Sequence, residues 1–341
     1  MLQWLLAQSV GMEASDRIRT GTEFMYLFLD AAVKGYTEVM ESLYRHQLTG
    51  DVVLAIGVAA EKGQLNSIKW LLDHYPIEQL RRHGRVLDKA AEYGHVEILQ
   101  FFHDLDAAGF EGGGFKRRKK NSWWSYAEDP IYWAARGGHL AVLEWIQANK
   151  TQQCRVDAMD EAAGQGHLEV VKWLHTNRSE GCTSCAMDNA ADNGHLEMVK
   201  WLHGNRSEGC THRAMYLAAE HGHLEVVKWL YAHRPDSHTH RAIDAAVQSG
   251  HIRILCWLQP LFPDYKIGTD FPWYQSLVGV NGSWESGKTF EMLLCLRVRY
   301  RYLFTPRFLG NLRSDLLRVG RFNPQLLRGV ETWLDEYYPS N

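Results

Sequence analysis

An all-α solenoid of stacked helix pairs is the fold this sequence predicts, and three observations predict it. Eight glycines mark a repeat: Gly35, Gly63, Gly94, Gly138, Gly166, Gly194, Gly222 and Gly250, the last five 28 residues apart. A small pair precedes the regular ones, as in Ala162-Ala163, Ala190-Ala191 and Ala218-Ala219. A tryptophan follows them in register: Trp70, Trp145, Trp173, Trp201, Trp229 and Trp257. A fixed period of this size marks units that bury their apolar faces only by stacking on neighbours. The same regularity speaks against an enzyme, because catalysis needs several different groups converging on one point.

Each element of a unit has a local reason. Thr183, Thr211 and Thr239 stand at equal spacing before helix-forming residues, where a hydroxyl caps a first helix. Met187, Ala190 and Ala191 form its packing side, and the alanines let paired helices approach closely. Gly194 ends it, since glycine tolerates the left-handed conformation there. In the second helix Leu196, Val199 and Leu202 form one apolar face. Glu197 and Lys200 lie three apart on the outer side, a pair contributing about 0.2–0.5 kcal/mol. The tryptophan column reads as core packing, each ring removing on the order of 200 Å² from water. The histidines that follow the glycines (His95, His139, His167, His195, His223 and His251) read as side chains bonding backbone near a tight turn, with a metal or proton relay as the alternative.

Along the chain, residues 1–29 read as a partial N-terminal helical repeat or cap. Met1 to Ala7 is too short and lacks the basic start of a secretion signal; it is expected to be the end of a degraded second helix. Repeats fill 30–260. The gap between Gly94 and Gly138 exceeds the period by 16 residues, an insertion at 109–122 that holds Gly112 to Gly114 and the basic run Lys116, Arg117, Arg118, Lys119 and Lys120. A solvated loop and a nuclear-import signal both fit that run. Trp123 and Trp124 are expected to fold back onto the next unit. Residues 261–341, interrupted by Pro263 and Pro272, read as degenerate repeats forming a helical C-terminal cap.

Three units read almost alike: Gly166-His-Leu-Glu-Val-Val-Lys-Trp-Leu-His175, its counterpart from Gly194 to His203 and that from Gly222 to Tyr231. With the alanine pair before each, this resembles the ankyrin repeat over residues 30 to 260, in the shortened, Trp-containing form abundant in oomycetes and large DNA viruses. The period is five residues below the usual ~33. Cys185-Ala-Met-Asp188 stands where Thr-Pro-Leu-His belongs. The missing residues fall where ankyrins carry a β-hairpin finger, so tight loops without real fingers are expected.

Composition bounds the rest. With 341 residues, 45% hydrophobic, the chain can build a continuous core, and a net charge of −3 selects neither nucleic acid nor membrane. No apolar run reaches 18 residues, so no membrane span is expected. Six cysteines, with Cys154, Cys182 and Cys210 at one repeat position, form no disulfide framework. A reducing cytoplasm or nucleus fits this usage, and a monomer is expected.

Two stretches offer rival chemistry. Gly282-Ser-Trp-Glu-Ser-Gly-Lys-Thr289 matches the P-loop pattern, in which Gly282 and Gly287 shape the loop, Lys288 reaches phosphates and Thr289 binds Mg²⁺. Too few residues follow it for the βα units a nucleotide domain needs. Arg297, Arg299 and Arg301 are mixed with the aromatics Tyr300, Tyr302, Phe304 and Phe308, a combination that binds single-stranded nucleic acid or covers apolar surface with arginine stems. Cys182 and Cys185 form a CxxC, but zinc needs two more ligands within ~2.3 Å of the ion, and repeats stand about 10 Å apart. No metal and no cofactor is expected.

The resemblance implies a non-enzymatic scaffold or adaptor that recognises a protein partner through a concave face lined by first helices. Residues that vary at equivalent positions are the candidates there: Asp160, Asp188, Tyr216 and Asp244 in one column; Val156, Ser184, His212 and His240 in a second; Asp157, Cys185, Arg213 and Arg241 in a third. Arg178 and Arg206 border them from the loops. The aspartates suggest a basic or polar partner, or else they assist the helix's first turn.

Overall fold

The computed structural model describes residues 14–77, 79–80, 85–107, 122–125, 127–149, 155–235, 240–267, 286–319 and 324–338, and no strand occurs among them. The chain is all-α and forms two compact units, Met1–Gly181 and Cys182–Asn341.

In the first unit, helix pairs follow one another as α1 (Ala14–Lys34) and α2 (Thr37–Arg45), α3 (Val52–Glu61) and α4 (Leu65–His74), α5 (Val86–Glu92) and α6 (Val96–Ala107), α7 (Pro130–Gly137) and α8 (Leu140–Asn149), α9 (Val156–Gly164) and α10 (Leu168–Asn177). Each first helix packs on the next: α1 on α3, α3 on α5, α5 on α7, α7 on α9. The second unit repeats the pattern with α11 (Ser184–Asp192) and α12 (Leu196–Asn205), α13 (Arg213–Glu220) and α14 (Leu224–His233), α15 (Arg241–Gln248) and α16 (Ile252–Leu258). There α11 packs on α13 and α13 on α15. Three further helices follow, α17 (Ser286–Arg299), α18 (Pro306–Val319) and α19 (Pro324–Tyr337); α17 lies against α16, and α18 against α19.

The alanine pairs sit where first helices meet and are fully buried, Ala190-Ala191 and Ala218-Ala219 included. Thr183 accepts a bond from Cys185 N at 3.0 Å, and Thr211 from Arg213 N at 3.1 Å, each holding the first turn of a first helix; Thr239 lies outside the described residues. Every repeat glycine has a positive φ, 77° at Gly194. The links after α10 and α12 are irregular, with no hairpin finger, and turn at Gly181 and Gly209.

Successive pairs are fastened by the histidines. His95 Nε2 donates to the Glu61 carbonyl at 2.9 Å, His167 Nε2 to Arg136 at 3.0 Å and His251 Nε2 to Glu220 at 2.9 Å. Each of those carbonyls belongs to the last turn of the preceding first helix, which leaves it without an intrahelical partner. The ring therefore satisfies a helix terminus and bridges two repeats at once.

Two expectations about packing are corrected. The six tryptophans of the column are half-buried rather than core; in α12 the buried residues are Met198, Val199 and Leu202, while Leu196 is only half-covered. The tryptophan position follows Lys200 or its equivalent on the helix flank, so its ring lies across to the neighbouring second helix. Trp70 Nε1 donates to Glu41 at 3.1 Å, Trp145 Nε1 to Gln100 at 2.8 Å, and Trp70 and Trp229 stack on His74 and His233 one turn on. Glu197 and Lys200 pair at 2.7 Å on the exposed side.

The insertion itself, with Lys116 to Lys120, lies outside the described residues, as do residues 1–13. At its end, Trp123 and Trp124 are buried. Trp123 packs on Phe102 of α6, and Trp124 stacks on Trp145 of α8. Asp106 accepts from Trp123 N at 3.1 Å and from the Ser122 hydroxyl, which pins this return to α6.

Candidate functional site

The outward side of the first helices begins at their N-terminal turns. In the second unit Cys185, His212, Arg213, His240 and Arg241 are exposed there, with Ser184 half-exposed. His240 tilts over the Tyr265 ring at 4.6 Å. In the first unit Val156 is exposed, and Asp157 is half-buried and held by Arg155 at 2.8 Å. At these turns of the second unit the exposed residues other than Cys185 are arginines and histidines.

The aspartate column is different. Asp160 and Asp188 are buried, 7% and 3% exposed, and Asp244 is half-buried. Asp188 accepts from Thr211 N at 2.8 Å and from Thr211 Oγ1 at 2.6 Å, so the carboxylate of one first helix holds the chain as it enters the next. Asp244 accepts from the Tyr265 hydroxyl; burial pushes its carboxyl above the usual range despite that bond and the nearby His240 and Arg241. Tyr216 is half-buried, its phenol pushed up by burial. The expectation that these aspartates form a partner face is corrected: Asp188 and Asp244 are bonded inward, and a buried carboxylate needs such partners.

Asp88, six residues before Gly94, belongs to the same column and escaped the sequence reading. It is 2% exposed and accepts from Glu128 N at 3.0 Å, just before α7; burial raises its pKa against the pull of that bond and of Arg85. The signal that would have found the column's role is the constant offset between Asp188 and Thr211, repeated in the sequence by Asp160 and Thr183.

The loop arginines separate. Arg206 is bound to Glu208, with Nε 3.2 Å from Oε2 and Nη2 on Oε1, which raises the guanidinium pKa and lowers that of the carboxyl. It is not an open arm beside the columns. Arg178 is half-buried.

Sequence reading also missed a cation–aromatic band in the first unit. Lys62 and Lys89 lie over Tyr93 at 5.7 and 5.4 Å, and Arg85 and Arg136 over Trp133 at 4.8 and 5.6 Å. The partners come from α3, α5 and α7 or their edges, and only adjacency of repeats brings them together.

Gly282 lies outside the described residues; Gly287, Lys288 and Thr289 fall in the first turn of α17. Arg297 rests on the Tyr337 ring at 3.8 Å, an internal contact between α17 and α19. Cys182 is buried and Cys185 exposed, and among the described residues no group of three or more His, Cys, Asp or Glu side chains is arranged to hold a metal. Among the same residues no helix is long and apolar enough to cross a membrane.

Comparison with known proteins agrees with this geometry. A family model described as ankyrin repeats (3 copies) matches residues 187–267, and another described as ankyrin repeats (many copies) matches 159–203. No curated protein matches the chain. Ankyrin repeats are protein–protein interaction modules, generally without catalytic activity of their own. The glycine turns, alanine-packed first helices and matched residues together identify ankyrin repeats over residues 159–267 of this chain.

Proposed function

We propose that the chain is a non-catalytic adaptor that recognises an acidic segment of a protein partner through the concave face its first helices line, acting as a monomer in a reducing compartment. One observation carries the reading: Arg213 and Arg241 stand exposed at equivalent turns of α13 and α15, each beside an exposed histidine, His212 or His240. The core does not dictate these positions, so their shared basic character reflects what they meet. Sequence reading favoured a basic or polar partner because it placed the aspartates outside; with Asp188 and Asp244 bonded inward the sign reverses. A stable interface needs ~800 Å² from each partner, within the surface of a few repeats.

Affinity capture tests it, using the intact chain and an Arg213→Glu, Arg241→Glu variant, with nuclease present and at two salt concentrations. The reading expects a protein retained by the intact chain, weakened by salt and lost from the variant. Retention by both chains alike sinks the assignment, and recovery of nucleic acid moves attention to Arg299 and Arg301.

A further inference from the structure

Two cysteines with no part in recognition lie against each other. Cys256 on α16 and Cys295 on α17 bring their sulfurs to 3.7 Å, where α17 packs on the last repeat. Neither occupies the cysteine position that the repeat carries at Cys182 and Cys210, so the period does not account for them. Cys256 is exposed and Cys295 half-buried; both are free thiols. A disulfide has sulfurs about 2.05 Å apart, so closure asks the two sulfurs to approach by about 1.65 Å from their 3.7 Å separation.

We propose that Cys256 and Cys295 form a thiol–disulfide switch, closed by a low-molecular-weight disulfide such as oxidised glutathione, that ties α17 covalently to the last repeat helix. The exposed Cys256 meets the oxidant first. Its thiolate attacks one sulfur of the small disulfide; the new S–S bond forms as the old one breaks, and the departing thiolate takes up the proton Cys256 gave up. Cys295 then attacks the Cys256 sulfur, expelling the second small thiolate, which takes the proton of Cys295. The two cysteines lose two electrons and the oxidant gains them, leaving one protein disulfide and two small thiols.

The order of steps follows from the site. Burial pushes the Cys295 thiol up to about 11, and its hydrogen bond with Cys256 and the charge there add to the effect. Cys295 is therefore a poor first nucleophile. Once Cys256 carries the mixed disulfide, its thiol can no longer take that bond or that charge, and Cys295 attacks a sulfur already held beside it. In a glutathione-reduced compartment the pair rests as two thiols.

The test treats the full chain with oxidised glutathione, blocks remaining thiols by alkylation and maps the peptides. The proposal expects a peptide linked through Cys256 and Cys295, reversed by dithiothreitol, while Cys185, the exposed cysteine of the same unit, carries glutathione without a protein disulfide. In Cys295→Ser the glutathione remains on Cys256; in Cys256→Ser, Cys295 stays a thiol. Stable glutathione on Cys256 of the intact chain with Cys295 alkylated, or both cysteines recovered alkylated while Cys185 carries glutathione, overturns it. The intact-chain map needs no variant, and circular dichroism checks that each variant keeps its helices.

Discussion

The ring of His251 occupies the space that a side chain on Gly222 would need: a Cβ there would lie 2.6 Å from His251 Cε1. The same holds for Gly194 under His223, Gly138 under His167 and Gly63 under His95. The repeat glycine thus answers two demands, a φ of 86° at Gly222 and room for the next repeat's imidazole. Gly222→Ala is expected to cost roughly 2–4 kcal/mol, the backbone strain alone accounting for about 1. Urea unfolding measures it. Adding His251→Ala should return the steric part, giving a non-additive pair.

Asp188→Ala removes both acceptors of Thr211 and leaves its part-buried amide unpaired, an expected loss of about 1–3 kcal/mol. Thermal unfolding checks this. A charge reversal at Asp188 is accordingly a folding mutation, and a lost interaction in such a variant would say nothing about a partner.

Burial holds the His139 pKa below its ordinary value, with the two neighbouring repeat histidines adding to that effect and a bond to the Glu92 backbone opposing it. From about pH 6.5 downward, the unfolded chain binds a proton at this position more readily than the folded chain does. Stability from His139 is therefore present above that pH and is lost as pH falls toward the depressed value. His139→Gln, which copies the native Gln64 seated over Gly35, should flatten this part of the slope. Unfolding midpoints at pH 7.5 and about 5.5 in both chains provide the check.

Trp70→Phe keeps the stacking on His74 but loses the bond to Glu41, and should cost about 1 kcal/mol. The adjacent Leu71→Ala empties a fully buried site and should cost about 2–5 kcal/mol. Equal losses in chemical denaturation would return the tryptophans to the core.

The period, the glycine turns, the threonine caps and the alanine contacts were legible because each rests on a local rule. The tryptophan and aspartate columns were misjudged for one reason. A period shows that Asp188 and Asp244 are equivalent but not whether their side chains point outward or across to the next helix pair. Asp188 looked exposed because it is charged; its partner, Thr211, stands 23 residues away and belongs to another repeat. The meeting of Cys256 with Cys295 is further from sight, since it depends on how α17 docks, and no repeat rule governs that.

The histidine locks also bear on how such a chain changes length. Cutting out residues 194–221 would join Asn193 to Gly222 and regenerate the run Asn-Gly-His-Leu-Glu found at the original turn. One whole unit leaves, and the junction keeps a glycine followed by an imidazole. A cut that removed Gly194 without the rest of its unit would set the His223 ring against a Cβ or a turn without a glycine. The helix pairs of this array are thus suited to leave or enter as whole modules, and other changes of length fall between pairs, as the 16-residue excess between Gly94 and Gly138 does.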